Sequence, residues 1–403
     1  MPYGVVGSFA GSVMPYLTRN AGVEVESIGW YGTLLFIPPM LQFLYAPIVD
    51  VGPKRKHWLV IVAALGAAFL VGACVMPLPE HMTAFLAFAV AAQLISGLVG
   101  ACNGGLLAVT MPDDLRGRAG AWYNVGNLSG GALAAWVAIS MTSAELDPLV
   151  IGLTLAAMMV LPSLVILWVH EPPRDNIATA REVFSTTLRD VKTVLFSKTG
   201  ITGVLLCLSP VGTASLMNYF TAFGPDYDAS PFLVGITSGP AQAVLTATGA
   251  LAGGYLCDRY NRRAMYLLAG TLTALVGIAM MLSPRTEVTF AWGVMTYMLV
   301  TGFCYSAFTA TVLETIGKGG KAASTQYSLF VAAGNAAIAY VGFIDTRFHK
   351  KHGVEGVIAS DAALNLAGVV VLGLVFWRMG VFAKRRLTGA NDEADRDDSA
   401  QSR

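Results

Sequence analysis

Long apolar blocks separated by short polar breaks run through nearly the whole chain. They fall at about 1–18, 27–49, 58–77, 83–110, 119–143, 148–170, 200–224, 231–256, 264–284, 289–313, 324–346 and 360–380. Most approach or exceed the roughly 20 apolar residues that an α-helix needs to cross the hydrocarbon core of a bilayer. The pattern predicts an all-α integral membrane protein of about twelve transmembrane helices.

The polar breaks carry the second layer of information. With the first span running outward, one side of the membrane receives the loops Asp50–His57, Pro112–Arg118, Glu171–Lys198, Asp258–Arg263 and Glu314–Lys321, together with the C-terminal tail. That side then holds 20 of the 26 Lys and Arg residues. The positive-inside bias makes it cytoplasmic and puts both termini there. The longest internal break, 171–199, lies near the middle of the chain and reads as a cytoplasmic linker with an amphipathic helix over 177–196. It divides residues 1–170 from 200–383, two pseudo-symmetric bundles of six helices each, and leaves 384–403 as a disordered cytoplasmic tail. A repeat supports the division: Asp50 precedes Lys54 and Arg55 in the loop after the second span, and Asp258 precedes Arg262 and Arg263 in the loop after the eighth.

Composition narrows the function. Of 403 residues 55% are hydrophobic and only 13% charged, with a mean hydropathy of +0.61, where a soluble domain carries about a quarter charged residues. The net charge of +1 gives no reason to expect a nucleic-acid partner. Five cysteines lie in or beside apolar blocks without metal-ligand spacing, and the five histidines sit near block ends. No metal, no cofactor and no enzymatic centre is expected, because nothing pairs a nucleophile with a base or two carboxylates at one depth.

Gly253-Gly254-Tyr255-Leu256-Cys257-Asp258-Arg259-Tyr260-Asn261-Arg262-Arg263 resembles the loop signature of the major facilitator superfamily, which runs from a Gly through an Asp to a basic pair. Ala46-Pro47-Ile48-Val49-Asp50 occupies the matching place in the first half. That form is similar to the branch of AmpG-type muropeptide permeases, acetyl-coenzyme A transporters and some siderophore importers. Leu115-Arg116-Gly117-Arg118-Ala119-Gly120 and Ser324-Thr325-Gln326-Tyr327-Ser328-Leu329 resemble further segments of it, and Pro2-Tyr3-Gly4 resembles the opening of its first helix. That opening is cut short here, so a natural start upstream of Met1 is expected. The resemblance implies the major facilitator fold and alternating access around a central cavity. The chain departs from the branch in the fourth block: 82–111 holds no acidic residue, where branch members usually do.

Polar side chains inside spans are costly and face a partner or a watery cavity. By resemblance the substrate-binding candidates are Asn103, Asn124, Asn218, Tyr219, Gln242, Tyr305 and Asn335. Each has an alternative role as a plain interhelical hydrogen bond. Asp50, Lys54, Arg55, Asp258, Arg262 and Arg263 are gating candidates, since an acid at a loop entrance can pair with a cation or a helix N-terminus across the gate. Glu314 and Asp345 are the coupling candidates, although Lys318, four residues after Glu314, offers it a helical ion pair instead. No Lys or Arg lies deep in a span, so the expected substrate is a neutral, zwitterionic or amphipathic small molecule. The reading is a monomeric secondary transporter of the cell inner membrane, with protons as a candidate co-substrate. An AmpG-like importer of cell-wall muropeptides comes first. A siderophore importer, a drug or metabolite efflux carrier and a non-transporting membrane receptor are the alternatives.

Overall fold

The computed structural model describes residues 1–172, 192, 196–317 and 323–380, and among them every regular element is helical. The expected linker helix over 177–196, apart from Lys192 and Phe196, and the tail over 384–403 lie outside the described residues, as does Lys318.

The first apolar block is α1 (Pro2–Ser8), a π-helical turn (Phe9–Val13) and α2 (Met14–Asn20). The second is α3 (Val25–Met40), then α4 (Gln42–Tyr45) and a 3₁₀ turn (Ala46–Asp50), with a bend of 43° between them. Pro38 and Pro39 explain the bend, since neither can donate to the preceding turn. Next come α5 (Arg55–Cys74), α6 (Met82–Thr110), α7 (Arg116–Asn124), a π turn (Val125–Ser129), α8 (Gly130–Ser143) and α9 (Pro148–Leu164).

The seventh block is not the continuous helix its apolarity predicts. It opens as α10 (Lys198–Leu208), unwinds, and resumes in a 3₁₀ turn (Ser215–Asn218), α11 (Phe220–Phe223) and another 3₁₀ turn (Gly224–Tyr227). Pro210 lacks an amide hydrogen, and Gly212 (φ 68°) and Ala214 (φ 53°) both take left-handed backbone, which no α-helix accommodates. The eighth block breaks the same way, at Gly239-Pro240, into α12 (Pro231–Ser238) and α13 (Pro240–Arg259). Then follow α14 (Arg262–Leu282) and α15 (Glu287–Ile316).

The last two blocks merge into α16 (Ala323–Arg378), whose 56 residues are interrupted only at Gly353 (φ 61°). At 1.5 Å per residue a straight helix of that length would run about 84 Å, far beyond a bilayer. It folds back instead: Ser360 Oγ donates to Asp345 Oδ1 across the kink at 2.6 Å. The polar stretch expected as a loop between the two blocks is therefore helical, with Arg347, Lys350 and Lys351 on its exposed surface.

Among the described residues seven helices are long and apolar enough to cross a membrane, or eight if the bent pair in the second block counts as one. Their outward faces are apolar, with Trp30, Trp168, Phe232 and Trp377 more than two-thirds exposed. Such an exterior suits lipid and not water. Inside, α1, α5, α6, α8 and α9 share one core around Phe9, Leu70, Phe85 and Met159. A second core joins α10, α14, α15 and α16 around Leu206, Tyr266, Phe303 and Phe330. All five cysteines are buried, and none forms a disulfide.

Where α13 crosses α15 the backbones nearly touch. A side chain at Gly249 would meet the Leu299 carbonyl, and one at Gly302 would meet the Thr246 carbonyl. Gly302→Leu should therefore destabilise the purified protein by about 1–3 kcal/mol, the usual cost of overpacking, and lower its melting temperature. Gly235→Ala, where a methyl group meets nothing within 4 Å, should leave it nearly unchanged.

Candidate functional site

The first turn of a helix has amide hydrogens with no partner inside the helix. At the basic side of the molecule two such turns are capped from a distance by aspartates. Asp50, whose side chain is fully buried, accepts from the Thr325 amide at 3.2 Å and the Thr325 hydroxyl at 3.0 Å, at the start of α16. Its other oxygen takes Arg55 Nη2 at 2.7 Å and Nε at 3.0 Å, while Nε also reaches Ser324 Oγ at 2.8 Å. Asp258 repeats the device at the end of α13. It accepts from the amides of Gly117 (2.6 Å) and Arg118 (3.1 Å), which open α7, and from Arg118 Nε at 3.0 Å. Gly117 is needed here, because a β-carbon would strike Asp258 and the Gly254 carbonyl.

Guanidinium groups close the rest of this face. Arg116 donates to the Gly317 carbonyl at 2.7 Å and pairs with Asp113 at 2.8 Å. Arg262 donates to Glu314 at 3.1 Å and to the Asp113 carbonyl. Glu171 completes it by accepting from the amides of Arg55 and Lys56 at 3.0 and 3.1 Å, which caps α5.

Beneath this face, in the middle of the molecule, lies a cavity with about 610 Å³ of empty space, counting the part open to solvent. Its wall comes from α1, α7, α10, α14, α15, α16 and the unwound stretch after α10. Five tyrosines (Tyr3, Tyr123, Tyr266, Tyr305, Tyr327) and three asparagines (Asn124, Asn127, Asn335) supply most of its polar groups, and among the described residues no charged side chain lines it. The unwound stretch contributes Ser209, Val211, Gly212 and Thr213. Unwinding leaves carbonyls without helical partners, and the cavity tyrosines take them: Tyr266 donates to Val211 O at 2.5 Å and Tyr305 to Thr213 O at 3.4 Å. Tyr123 and Tyr327 meet edge to face with centroids 6.2 Å apart.

The family model of the Major Facilitator Superfamily matches residues 2–342, most of the chain. The chain belongs to the major facilitator superfamily. It is a secondary transporter and not an enzyme. No curated protein matches its sequence significantly. Among solved structures, the human organic anion transporter MFSD10 (TETRAN) superposes with a TM-score of 0.67 at 15% identity, covering 92% of this chain and 97% of that one. The proton:xylose symporter XylE bound to 6-bromo-6-deoxy-D-glucose superposes with a TM-score of 0.67 at 13% identity, covering 94% and 92%. At such identities the likeness speaks for the fold alone.

The superfamily cavity gathers three of the seven residues expected to bind substrate. Asn124 lines it while donating to Gly120 O, Tyr305 O and Thr309 Oγ1 at 2.9–3.0 Å, so it also ties α7 to α15. Tyr305 lines it, as does Asn335, which donates to Pro39 O at 3.2 Å. Asn103, Asn218, Tyr219 and Gln242 do not line it. Asn218 is exposed, Tyr219 bonds Gly342 O and Thr346 Oγ1, and Gln242 reaches only the Met217 sulfur. Tyr123 and Asn127, polar residues of the fifth block outside those seven, line it too, as do Tyr3, Tyr266 and Tyr327, of which Tyr3 and Tyr327 sit inside two of the quoted motifs.

Of the gating candidates, Asp50, Arg55, Asp258 and Arg262 lie within the capped face. Lys54 is exposed, and Arg263 lies over the Phe376 ring at 5.6 Å. Glu314 stands partly exposed at the same rim with Arg262, well away from the cavity wall. Asp345 is fully buried.

Removing the Asp50 charge would break its buried ion pair with Arg55 and uncap Thr325. Breaking a buried pair costs about 3–5 kcal/mol. Asp50→Asn should therefore sharply increase maleimide labelling of a cysteine placed on the inner face of this side, for instance at Ser328. Lys54→Ala should leave labelling at the wild-type rate.

Proposed function

We propose that the chain carries a neutral or zwitterionic solute with both an apolar face and several hydrogen-bonding groups, by rocking two six-helix bundles, 1–170 and 200–383, about the cavity. The observation that carries the substrate class is the wall itself: tyrosines and amides with no cation and no acid. A buried anion without a counter-charge is very costly, so a polyanion finds no home there. Tyrosine faces suit the apolar faces of sugar rings, and amides suit hydroxyl and acetamido groups. The resemblance to AmpG-type permeases points to import of a cell-wall sugar fragment. The absence of acids from the fourth block argues that any charged peptide on such a fragment stays outside the cavity wall.

Twelve spans are the reading that accounts for all the helices. The broken blocks α1–α2, α3–α4, α7–α8, α10–α11 and α12–α13 each count once, and α16 counts twice. The basic side is the cytoplasmic one by its charge, with both termini there and the protein in the cell inner membrane. The two aspartate caps are the cytoplasmic gate, shut in this conformation, and a single chain is the transporting unit. Glu314, held by Arg262, belongs to the gate rather than to coupling.

The test is thermal stabilisation of the purified protein by a panel of probes. At about a hundredfold excess over Kd a ligand adds about 2.7 kcal/mol. Neutral amino-sugar disaccharides should raise the melting temperature, and Asn335→Ala with Tyr123→Ala should remove the rise. Stabilisation by acyl-coenzyme A or other polyanions, with none by neutral sugars, would contradict this reading.

A further inference from the structure

Beside the unwound stretch, among residues that do not line the cavity, two carboxylic acids are buried together. Asp345 is on the first arm of α16 and Asp361 on the second, with 0% and 1% of their surfaces exposed. Ser360, the residue before Asp361, donates to Asp345 Oδ1 at 2.6 Å, and Tyr297 of α15 donates to Asp361 Oδ2 at 3.3 Å. The other two oxygens, Asp345 Oδ2 and Asp361 Oδ1, accept no hydrogen bond. The Ser215 hydroxyl, 1% exposed, faces Asp345 from the start of the 3₁₀ turn that follows the unwound stretch. Neither acid pairs with a cation among the described residues.

The surroundings offer no other compensating charge. Tyr297 on α15 and Tyr219 after the unwound stretch are the titratable groups that face the pair, and both are phenols. Opposite the second arm, α14 presents Gly277. Among the charged groups at this end of α14 and α16, Arg285 pairs with Glu355 at 2.7 Å, Arg347 lies over Phe343 at 4.6 Å, and Lys350 and Lys351 are exposed. His349 stacks on Phe223, and His352 meets Phe348. Two adjacent carboxylates in an apolar interior cannot both stay ionised without a partner. No third acid, His or Cys joins them to hold a metal ion among the described residues.

We propose that Asp345 and Asp361 form a proton-binding site, linked to the cavity through the segment Ser209–Asn218, which is unwound over 209–214 and a 3₁₀ turn over 215–218. The link is a set of contacts along one short strip of backbone. Ser215 and Leu216 face the acids, and Gly212 and Thr213 belong to the cavity wall. Asn365, one turn beyond Asp361, joins the two ends: its Oδ1 accepts from the Gly212 amide at 2.8 Å and its Nδ2 donates to the Asp361 carbonyl at 2.9 Å. With a proton bound, the pair carries at most one charge and stays packed. When the proton leaves, two negative charges share the buried site, and the strip beside them, which makes 3₁₀ but no α-helical hydrogen bonds, is the element that can move. Only this consequence for transport rests on the alternating-access reading; proton binding itself does not.

Infrared difference spectroscopy on the full-length protein in nanodiscs, titrated from acid to alkaline pH, reads the proton directly. The expected result is a protonated-carboxyl C=O band at neutral pH that is lost in Asp361→Asn and displaced in Ser360→Ala. Hydrogen exchange of amides 212–216 should accelerate as that band titrates away, in wild type but not in Asp361→Asn. If Asp361→Asn does not fold, Asp345→Asn and Tyr297→Phe must alter the same band. A wild-type spectrum without a band assignable to either acid at any pH overturns the proposal. So does a band that appears only when sodium is removed, which would make the ligand a metal cation. Failure of every neutral ligand to stabilise the protein would sink the substrate reading and leave the proton site standing.

Discussion

A backbone amide in the first turn of a helix has no partner in that helix, and inside a membrane protein it has no water either. Much of the organisation of this chain answers that constraint. Asp50 serves the first turn of α16, Asp258 that of α7 and Glu171 that of α5. Because the first two acids sit on elements far from the helices they cap, satisfying an amide also clamps separate parts of the chain together. A charge-assisted hydrogen bond of this kind is worth about 1.5–3 kcal/mol, and each aspartate makes three or four of them. Closure of the basic face and capping of helix ends are one set of bonds.

The same constraint shapes the cavity. Unwinding after α10 strips carbonyls and amides of their helical partners, and side chains from three other helices replace them: Tyr266 of α14, Tyr305 of α15 and Asn365 of α16. Two of these are cavity tyrosines. Substrate contact, backbone satisfaction and the position of the acid pair thus meet on one strip of about ten residues, so a change at any one is felt by the others. The strip lacks the continuous hydrogen-bond ladder of the helices around it, so moving it breaks fewer backbone bonds than bending one of them.

The membrane character and the helical class were legible because apolar blocks of the right length admit no other stable backbone. The two loop aspartates were legible as well, since an acid at a helix end beside basic residues has few roles. Pro210 and Gly212 announced a disturbance, but a proline in a span more often kinks than unwinds it, and the left-handed turn at Ala214 has no sequence signal. Asp361 escaped notice for a different reason. It sits one residue inside the expected start of its block, where an acid looks like a loop residue, and only the extension of α16 through the polar stretch carries it into the interior. Asn218 and Gln242 failed to reach the cavity because breaks in their blocks turned them to other faces. Facing in a broken helix is a tertiary property that periodicity does not carry.

The central claim is that two aspartates cap helix ends across the basic face and thereby hold it closed. Hydrogen exchange resolved at single amides tests this most directly, at Thr325 and at Gly117 and Arg118. The account predicts that all three are protected in the wild type, that Asp50→Asn releases Thr325 alone, and that Asp258→Asn releases Gly117 and Arg118 alone. Free exchange of these amides in the wild-type protein, at the rate of an open loop, would contradict it.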